Sequence, residues 1–374
     1  MLPRLVLLGA GPAHLHALRV LARHKNPPRE TVLVASVPTI VSPDMLPGFV
    51  AGRFRAEEVV VDLARLAHAA RGSLVVGNVT TIEPGSRTVR LEGGRALLYN
   101  AASVTMDHHP ATVTVPGAAR HAHFIHTVAQ VMALPQMLEQ AMVQHSAPRI
   151  LVVGNGTPAL ELALAIRQQT RRLIGGEGTV TILSTAHSLS AESGRVLGHM
   201  ESALRRHNIS LITGARIRNV ERESLHLSNG GKVAFDFLLW AGDGEMPQYL
   251  ADAGLQTSAD GSILVDAFLQ SIETPGLFAA GAAAAIANLP DSGQARHAGR
   301  EGATLGHNLL DVLSGKPPSK TFDPPARPLV WVDTVDGRAL ATFGGLSVEG
   351  RWVARLKERM DRSFVQQLSR KGTE

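Results

Sequence analysis

LVLLGAGPAHLHAL, residues 5 to 18, runs from an apolar stretch through two glycines one residue apart into an alanine- and leucine-rich segment. A second stretch of the same form, ILVVGNGTPALELAL, occupies residues 150 to 164. In each, an apolar run of strand length meets a glycine turn and passes into helical spacing, which is how a dinucleotide-binding βαβ unit begins. The first glycine permits a tight bend and the second lets backbone approach a pyrophosphate, while the helix N-terminus supplies unpaired N–H groups and the positive end of a dipole. Gly9 and Gly11 take these two roles in the first turn, and Gly154 and Gly156 in the second; Pro12, Ala13 and Thr157 open the helices that follow. The third position, where a glycine allows close packing of helix on strand, holds His14 in the first turn and Ala159 in the second. Each turn alone is an imperfect match. Two of them in matching context predict a chain that holds two nucleotides facing one another.

Residues 4 to 36 read as strand, turn, helix and strand, and RILVVGNG through TVTILS repeats that order. Between them, SLVVGNVTTIE, RTVRLEGG and RALLYNAASV, broken by Gly, Pro and Ser, predict a small antiparallel layer over 74 to 104. Helical spacing is expected at 127 to 145, 192 to 207 and 296 to 313, and HLSNGGKV carries an Asn-Gly hairpin signal. After the proline-rich connector GKPPSKTFDPPARP come one or two strands and a terminal helix. The fold class predicted is α/β, with two Rossmann-like βαβ domains and a small C-terminal strand and helix segment. The first domain, 1–110 and 240–320, is interrupted by the second, 111–239, and the C-terminal segment covers 321–374.

Composition agrees. At 374 residues the chain reads as two or three domains. With 44% hydrophobic and only 4% aromatic residues, its interior must be built mainly from Ala, Val, Leu and Ile, as in α/β layers. Cysteine is absent, which excludes disulfides, thiolate metal sites and any redox thiol within this chain. Of the net charge of +5, the whole surplus lies between Arg351 and Lys371, where seven basic residues face Glu358 and Asp361. No basic and aromatic surface pattern elsewhere suggests a nucleic-acid partner. Met1 to Arg4 pass straight into the first strand, so no signal peptide is expected, and TPGLFAAGAAAAIANLP at 274 to 290 is too rich in Gly and Pro for a membrane span. A cytoplasmic location follows as an expectation.

A carboxylate at the end of the second strand of such a unit holds the adenosine ribose. Here the strands end in Ala35-Ser36 and Ser184-Thr185, leaving Ser36 and Ser184 as the candidates and the choice of NADH or NADPH open. His187 lies close enough in sequence to meet a 2′-phosphate, although a solvent-facing histidine is the favoured reading.

The chain resembles the two-dinucleotide-binding flavoprotein superfamily, the pyridine nucleotide-disulfide oxidoreductase-like proteins in which an FAD domain is split by an NAD(P)H domain. The likeness is greatest to flavoproteins associated with selenide, water dikinase, which are relatives of type II NADH:quinone dehydrogenases. GAGPAHLHAL is similar to that family's first turn, where His14 rather than glycine is expected, and SPDMLPGFVAG at 42 to 52 to its Met-Leu-Pro-Gly signature, which contains Pro47. LFAAG at 277 to 281 sits where the second FAD signature belongs, and GGLSVEGRWVARLKERMDRSF at 344 to 364 resembles the C-terminal segment. The resemblance implies FAD at Gly9, Gly11, Pro12, Ala13, His14, Ser36, Pro47, Gly281 and Ala282, and NADH or NADPH at Gly154, Gly156, Thr157, Ser184 and Gly242. It also implies hydride transfer from NAD(P)H through the flavin to a small acceptor such as a quinone or oxygen, with few catalytic side chains. Glu161 matches the family's glutamate near the nicotinamide and is the catalytic candidate; the alternative is a glutamate on the helix surface.

Three departures oppose this reading. The second FAD signature is Ala-Ala-Gly-Asp, with the aspartate bonding the ribityl chain, but Gly281 is followed by Ala282. Losing one charge-assisted hydrogen bond costs a ligand about 1.5–3 kcal/mol, or roughly ten- to a hundredfold in affinity. ARHAGREG at 295 to 302 puts Arg296, Arg300 and Glu301 in place of glutamine-containing quinone-site sequence, and VTMDHHP at 104 to 110 replaces an Asp-x-Gly-Ser stretch. The rival is therefore a degenerate or repurposed member, non-catalytic, with weakened or lost FAD binding. Histidines 108, 109, 121, 123 and 126 lack thiolate or carboxylate company and helical i, i+4 spacing, so they read as solvated loop residues and no metal is expected. Over 351 to 368, Trp352, Leu356, Met360, Phe364 and Leu368 form a helical stripe among basic residues. Such a helix could lie on the inner face of a membrane; docking on its own protein, or on a second subunit of a homo-oligomer, is the favoured reading.

Overall fold

Strand Arg4–Leu8 is buried on both sides from Leu5 onward, with none of the alternation a half-solvated strand would show. It is the centre of a five-stranded sheet ordered 277–279, 101–104, 4–8, 30–35, 72–76, in which every pairing is parallel. A second parallel sheet, ordered 123–124, 237–240, 149–153, 179–183, 209–212, is built the same way around Arg149–Val153. The computed structural model describes residues 4–25, 30–105, 114–125, 127–187, 194–242, 246–287, 298–324, 329–343 and 346–369. Both sheets reverse their strand order at the strand that carries a glycine turn, and the crevice at the carboxyl end of such a switch point is where open α/β sheets take ligands. The two-sheet α/β architecture is the one the repeated turns predict.

The stretch from 74 to 104 differs from expectation. Only Val79–Glu83, Thr88–Leu91 and Ala96–Leu98 form the small antiparallel sheet. Gly72–Val76 and Ala101–Val104 belong to the first parallel sheet, the latter buried at every residue and paired along both edges. The end of the chain also holds more than two strands: Val330–Asp333, Ala339–Phe343 and Leu346–Gly350 form an antiparallel sheet that leads into helix Arg351–Ser369.

Two packings position the site. Helix Ala298–Leu313 crosses helix Pro12–Arg23 so closely that a Cβ on Gly302 would stand 2.3 Å from the Ala13 carbonyl oxygen, and one on Gly306 2.8 Å from Val20 Cβ. The C-terminal segment spans both sheets. Val330 and Val332 enter the core of the second sheet, and Val365 and Leu368 enter that of the first. Phe364 stacks on His16 with ring centroids 4.6 Å apart, and the Arg19 guanidinium lies over the same ring.

The helical stripe therefore divides. Phe364 and Leu368 face the protein with Val353, Lys357 and Val365, whereas Trp352, Leu356 and Met360 are 60%, 42% and 48% exposed. Docking on its own protein is what the inward half does. No described helix is long and apolar enough to cross a membrane.

Candidate functional site

Gly9 has φ +92°, and a side chain there would meet the Thr105 carbonyl oxygen at 2.2 Å, so only glycine makes this bend. Its N–H donates to Val34 O (2.8 Å), which ties the turn to the neighbouring strand. Helix Pro12–Arg23 then starts on Gly11 with no capping side chain and no acidic residue in its first turn, leaving its positive end for a ligand. The Gly11 N–H is already engaged, donating to Thr105 Oγ1 at 3.1 Å.

His14 braces the turn. It is fully buried, with Nδ1 2.7 Å from Gly9 O and Nε2 2.9 Å from Ser103 Oγ. Burial lowers its pKa to about 4, against the pull of the Gly9 carbonyl, so the ring is neutral. These partners assign the proton to Nδ1, which donates to the carbonyl, while Nε2 accepts from the serine hydroxyl. A larger ring thus replaces the third glycine by bonding to the strand it would otherwise crowd. Motif spacing does not single out Ser103 or Thr105; a serine in an otherwise apolar buried strand, AASV, is the signal that marks Ser103. Ser36 is half-buried at the end of its strand, and Pro47 is buried in helix Leu46–Val50. In the same helix, a Cβ on Gly48 would stand 2.3 Å from the Phe54 ring.

At the second turn, a Cβ on Gly154 would lie 3.1 Å from Ala159 Cβ and 3.2 Å from the Ala241 carbonyl, so helix and strand approach closely there. Gly156 has φ +69° and opens helix Gly156–Ile174, whose N-cap, Asn155, leaves the helix end uncapped. The Asn155 Oδ1 instead accepts from Ser184 Oγ (2.8 Å) and Thr185 N (3.1 Å). Ser184 is fully buried, and its hydroxyl donates to that oxygen. Thr157 is half-buried at the helix start, and Gly242 lies beside the turn, its Cβ position 3.7 Å from Gly154 Cα. His187 is exposed, against Gly214.

Glu161, five residues into that helix, is buried, which excludes a solvated helix-surface glutamate. Its Oε1 accepts the Asp333 N–H at 2.6 Å. Burial lifts its pKa to about 8, against the opposing pull of Lys357. The Lys357 ammonium is itself buried, which works against its charge, but Glu161, Asp361 and Asp44 outweigh this and leave its pKa raised. It donates to Asp44 O (3.0 Å) and Asp361 Oδ2 (2.8 Å). Burial raises Asp361 to about 6 against the attraction of Lys357. Arg53 pairs with Asp333 and closes the cluster. The second-turn helix, the Met-Leu-Pro-Gly segment, strand Val330–Asp333 and the C-terminal helix all contribute to it. Spacing could not reveal this, since Asp44, Glu161, Asp333 and Lys357 are scattered over three hundred residues.

In the loop after strand Leu277–Ala279, Gly281 has φ +65° with no described atom within 4 Å of where a side chain would stand, and Ala282 beside it is half-buried. The Gly281 N–H donates to Glu301 Oε2 at 3.1 Å, while Arg300 is exposed. Of the five clustered histidines, His123 lies in a strand and stacks on Phe237 (4.4 Å), not in a solvated loop. His121 ends a short helix, and 108, 109 and 126 lie outside the described residues, as does Arg296.

Two parallel sheets, each with a glycine turn and an uncapped helix at its switch point, define a two-domain dinucleotide-binding oxidoreductase fold. The chain belongs to the pyridine nucleotide-disulphide oxidoreductase family, which matches residues 3–302. A NADH dehydrogenase-like protein of Mycobacterium tuberculosis is 24% identical over 255 residues, which cover 65% of this chain and 64% of that protein. The match thus spans just under two thirds of that relative's length. Among solved structures, the sulfide:quinone oxidoreductase of Aquifex aeolicus superposes with a TM-score of 0.81 at 17% identity, covering 98% of this chain and 91% of that one. NDH2 from Plasmodium falciparum, in complex with NADH, gives 0.75 at 11% identity with 100% of both chains covered. These likenesses establish the fold.

Proposed function

We propose that this protein is a flavin-dependent NAD(P)H oxidoreductase, with FAD on the first turn and NADH or NADPH on the second. One observation carries the reading: two helix N-termini, both uncapped, each follow a glycine turn at the switch point of its own parallel sheet. The residues present fit two dinucleotides, because the φ +92° of Gly9 and the φ +69° of Gly156 let bare backbone stand where pyrophosphates bind. When bound, NAD(P)H supplies a hydride and FAD the ring that accepts it.

The chain's own part is to bind, orient and handle protons. The backbone from Gly9 to Ala13 and from Gly154 to Thr157 would hold the two pyrophosphates, with Pro47 packed beside the first. Glu161 keeps its proton up to about pH 8, and Oε2 is the oxygen left to carry it, since Oε1 accepts the Asp333 N–H. Lys357 acts on it electrostatically and is itself paired with Asp361. With no cysteine in the chain, electrons would pass directly to a small acceptor such as a quinone or oxygen.

Phe343, Leu346 and Val348 on the terminal hairpin are exposed, as are Trp352, Leu356 and Met360 on the helix that follows, with Arg351, Arg355 and Arg359 alongside. This supports peripheral contact with an anionic membrane surface through residues 351–371, which include helix Arg351–Ser369, on the cytoplasmic side. The same face would serve a second subunit.

One pair of observations favours the rival, a repurposed protein that has kept the scaffold: Gly11 N–H is engaged by Thr105, and residue 282 is alanine. Purified protein incubated with FAD and desalted separates the two. Retained flavin together with oxidation of NADH or NADPH, using a soluble quinone or oxygen as acceptor, is expected. Protein that neither retains FAD nor oxidises either nicotinamide contradicts the proposal.

A further inference from the structure

Two of the departures from the flavoprotein pattern meet in space. Residue 282 lacks the carboxylate of the second FAD signature, and residue 301 has a carboxylate where that pattern has none. In the fold, Glu301 Oε2 accepts the N–H of Gly281, the residue immediately before Ala282, at 3.1 Å. The Glu301 residue is only 1% exposed, and among the described residues it has this one hydrogen bond and no cation. A carboxyl group buried without a charged partner is costly, and burial raises its pKa to about 7 despite the Gly281 N–H.

Its position is not free to drift. Gly302, the next residue, packs against the Ala13 carbonyl at the start of the first-turn helix so tightly that no larger side chain fits. Glu301 is thereby held between the first glycine turn and the Gly281 loop. Among the described residues nothing lies within 4 Å of the Gly281 Cβ position.

We propose that Glu301 supplies from helix Ala298–Leu313 the carboxylate that Ala282 cannot, and accepts a hydroxyl of the FAD ribityl chain beside Gly281. This rests on the reading that FAD binds the first turn. A carboxylate on a packed helix replaces one on a loop, and the charge-assisted bond that the signature alone would lose is kept.

The test is titration of apo-protein with FAD, followed by quenching of flavin fluorescence, in wild type, E301Q, A282D and the A282D/E301Q double variant. Each protein's fold is checked by circular dichroism and thermal melting. E301Q keeps an oxygen for the Gly281 N–H, so the fold should hold while FAD affinity falls roughly ten- to a hundredfold. Restoring a carboxylate at the neighbouring position, A282D/E301Q, should return affinity to within a few-fold of wild type, a rescue that a purely structural role for Glu301 would not give. A282D alone sets two carboxyl groups side by side and should bind no better than wild type. Folded E301Q with wild-type affinity would overturn the proposal, as would a folded double variant no tighter than E301Q. If wild type itself takes up no FAD, the functional reading fails and this inference with it, an outcome distinct from a wild type that binds and an E301Q that binds equally well.

Discussion

Gly9 and Gly281 both have positive φ, yet a side chain would meet different surroundings at each. At Gly9 a methyl would stand 2.2 Å from backbone oxygen of Thr105, which cannot swing away, whereas at Gly281 it would meet nothing within 4 Å. G281A should therefore cost only the left-handed penalty, about 1 kcal/mol, while G9A adds a backbone clash and should cost about 3 kcal/mol or more, read by urea unfolding. Equal losses would mean that the first turn relaxes freely. Glu161 gives a prediction in pH. Its carboxyl stands at about 8 in the folded protein against 4.5 for an ordinary glutamate, so between those values the folded state holds a proton that the unfolded chain has released. Its contribution to stability is full below 4.5 and declines as pH rises toward 8. E161Q removes that slope, so the stability of wild type relative to E161Q should fall from about pH 5 to about pH 8, and a difference independent of pH would contradict the burial argument. At this scale the glycines are legible in the sequence itself, because a bend that only glycine can make leaves its mark in residue type. The bracing of His14 by Ser103, and the diversion of Asn155 to Ser184, are not, since both depend on which strand lies alongside.

Among elements, the crossing of helix Ala298–Leu313 on helix Pro12–Arg23 ties residues from late in the chain to the first glycine turn. The pattern Gly302-x-x-x-Gly306 is visible in the chain, but its partner is not, because close approach of two helices leaves a trace only on the side that loses its Cβ atoms. G302V should open the crossing, lower Tm by several degrees and weaken FAD retention together, whereas a valine at the exposed Gly198 should do neither. The C-terminal helix is legible as amphipathic, but the apolar stripe does not mark its inward face. Charged Lys357 lies buried against Asp361 while Trp352 and Leu356 face outward, a choice that the acids of neighbouring elements make and hydropathy alone does not. Its two faces should separate by mutation. F364A removes a ring stacked on His16 and should cost about 2–3 kcal/mol, while W352S/L356S/M360S should leave Tm within a degree or two and reduce binding to anionic liposomes. Unchanged liposome binding would leave the exposed face to a second subunit, to be read by sedimentation.

At the scale of the molecule, two copies of one βαβ idea are readable because parallel strands buried on both faces are apolar without interruption, as LVLL and ILVV are. The joining of the two sheets is not. It rests on contacts between residues far apart in sequence, such as the Gln169 amide on Val50 O (2.6 Å) and Glu161 on Asp333 N, and on a terminal segment that enters both cores. That joining places the Met-Leu-Pro-Gly helix against the second-turn helix, and with it the Asp44, Glu161 and Lys357 cluster at their meeting. Two nucleotides on two such turns matter only if a hydride can pass between them. Anaerobic addition of NADH and of NADPH to the FAD-loaded protein, followed at the flavin band of about 450 nm, measures this directly. Bleaching of that band by one or both nicotinamides is the expected result. A flavin-loaded protein whose band is untouched by either would show that the turns hold their ligands apart, and would contradict the assignment as an oxidoreductase.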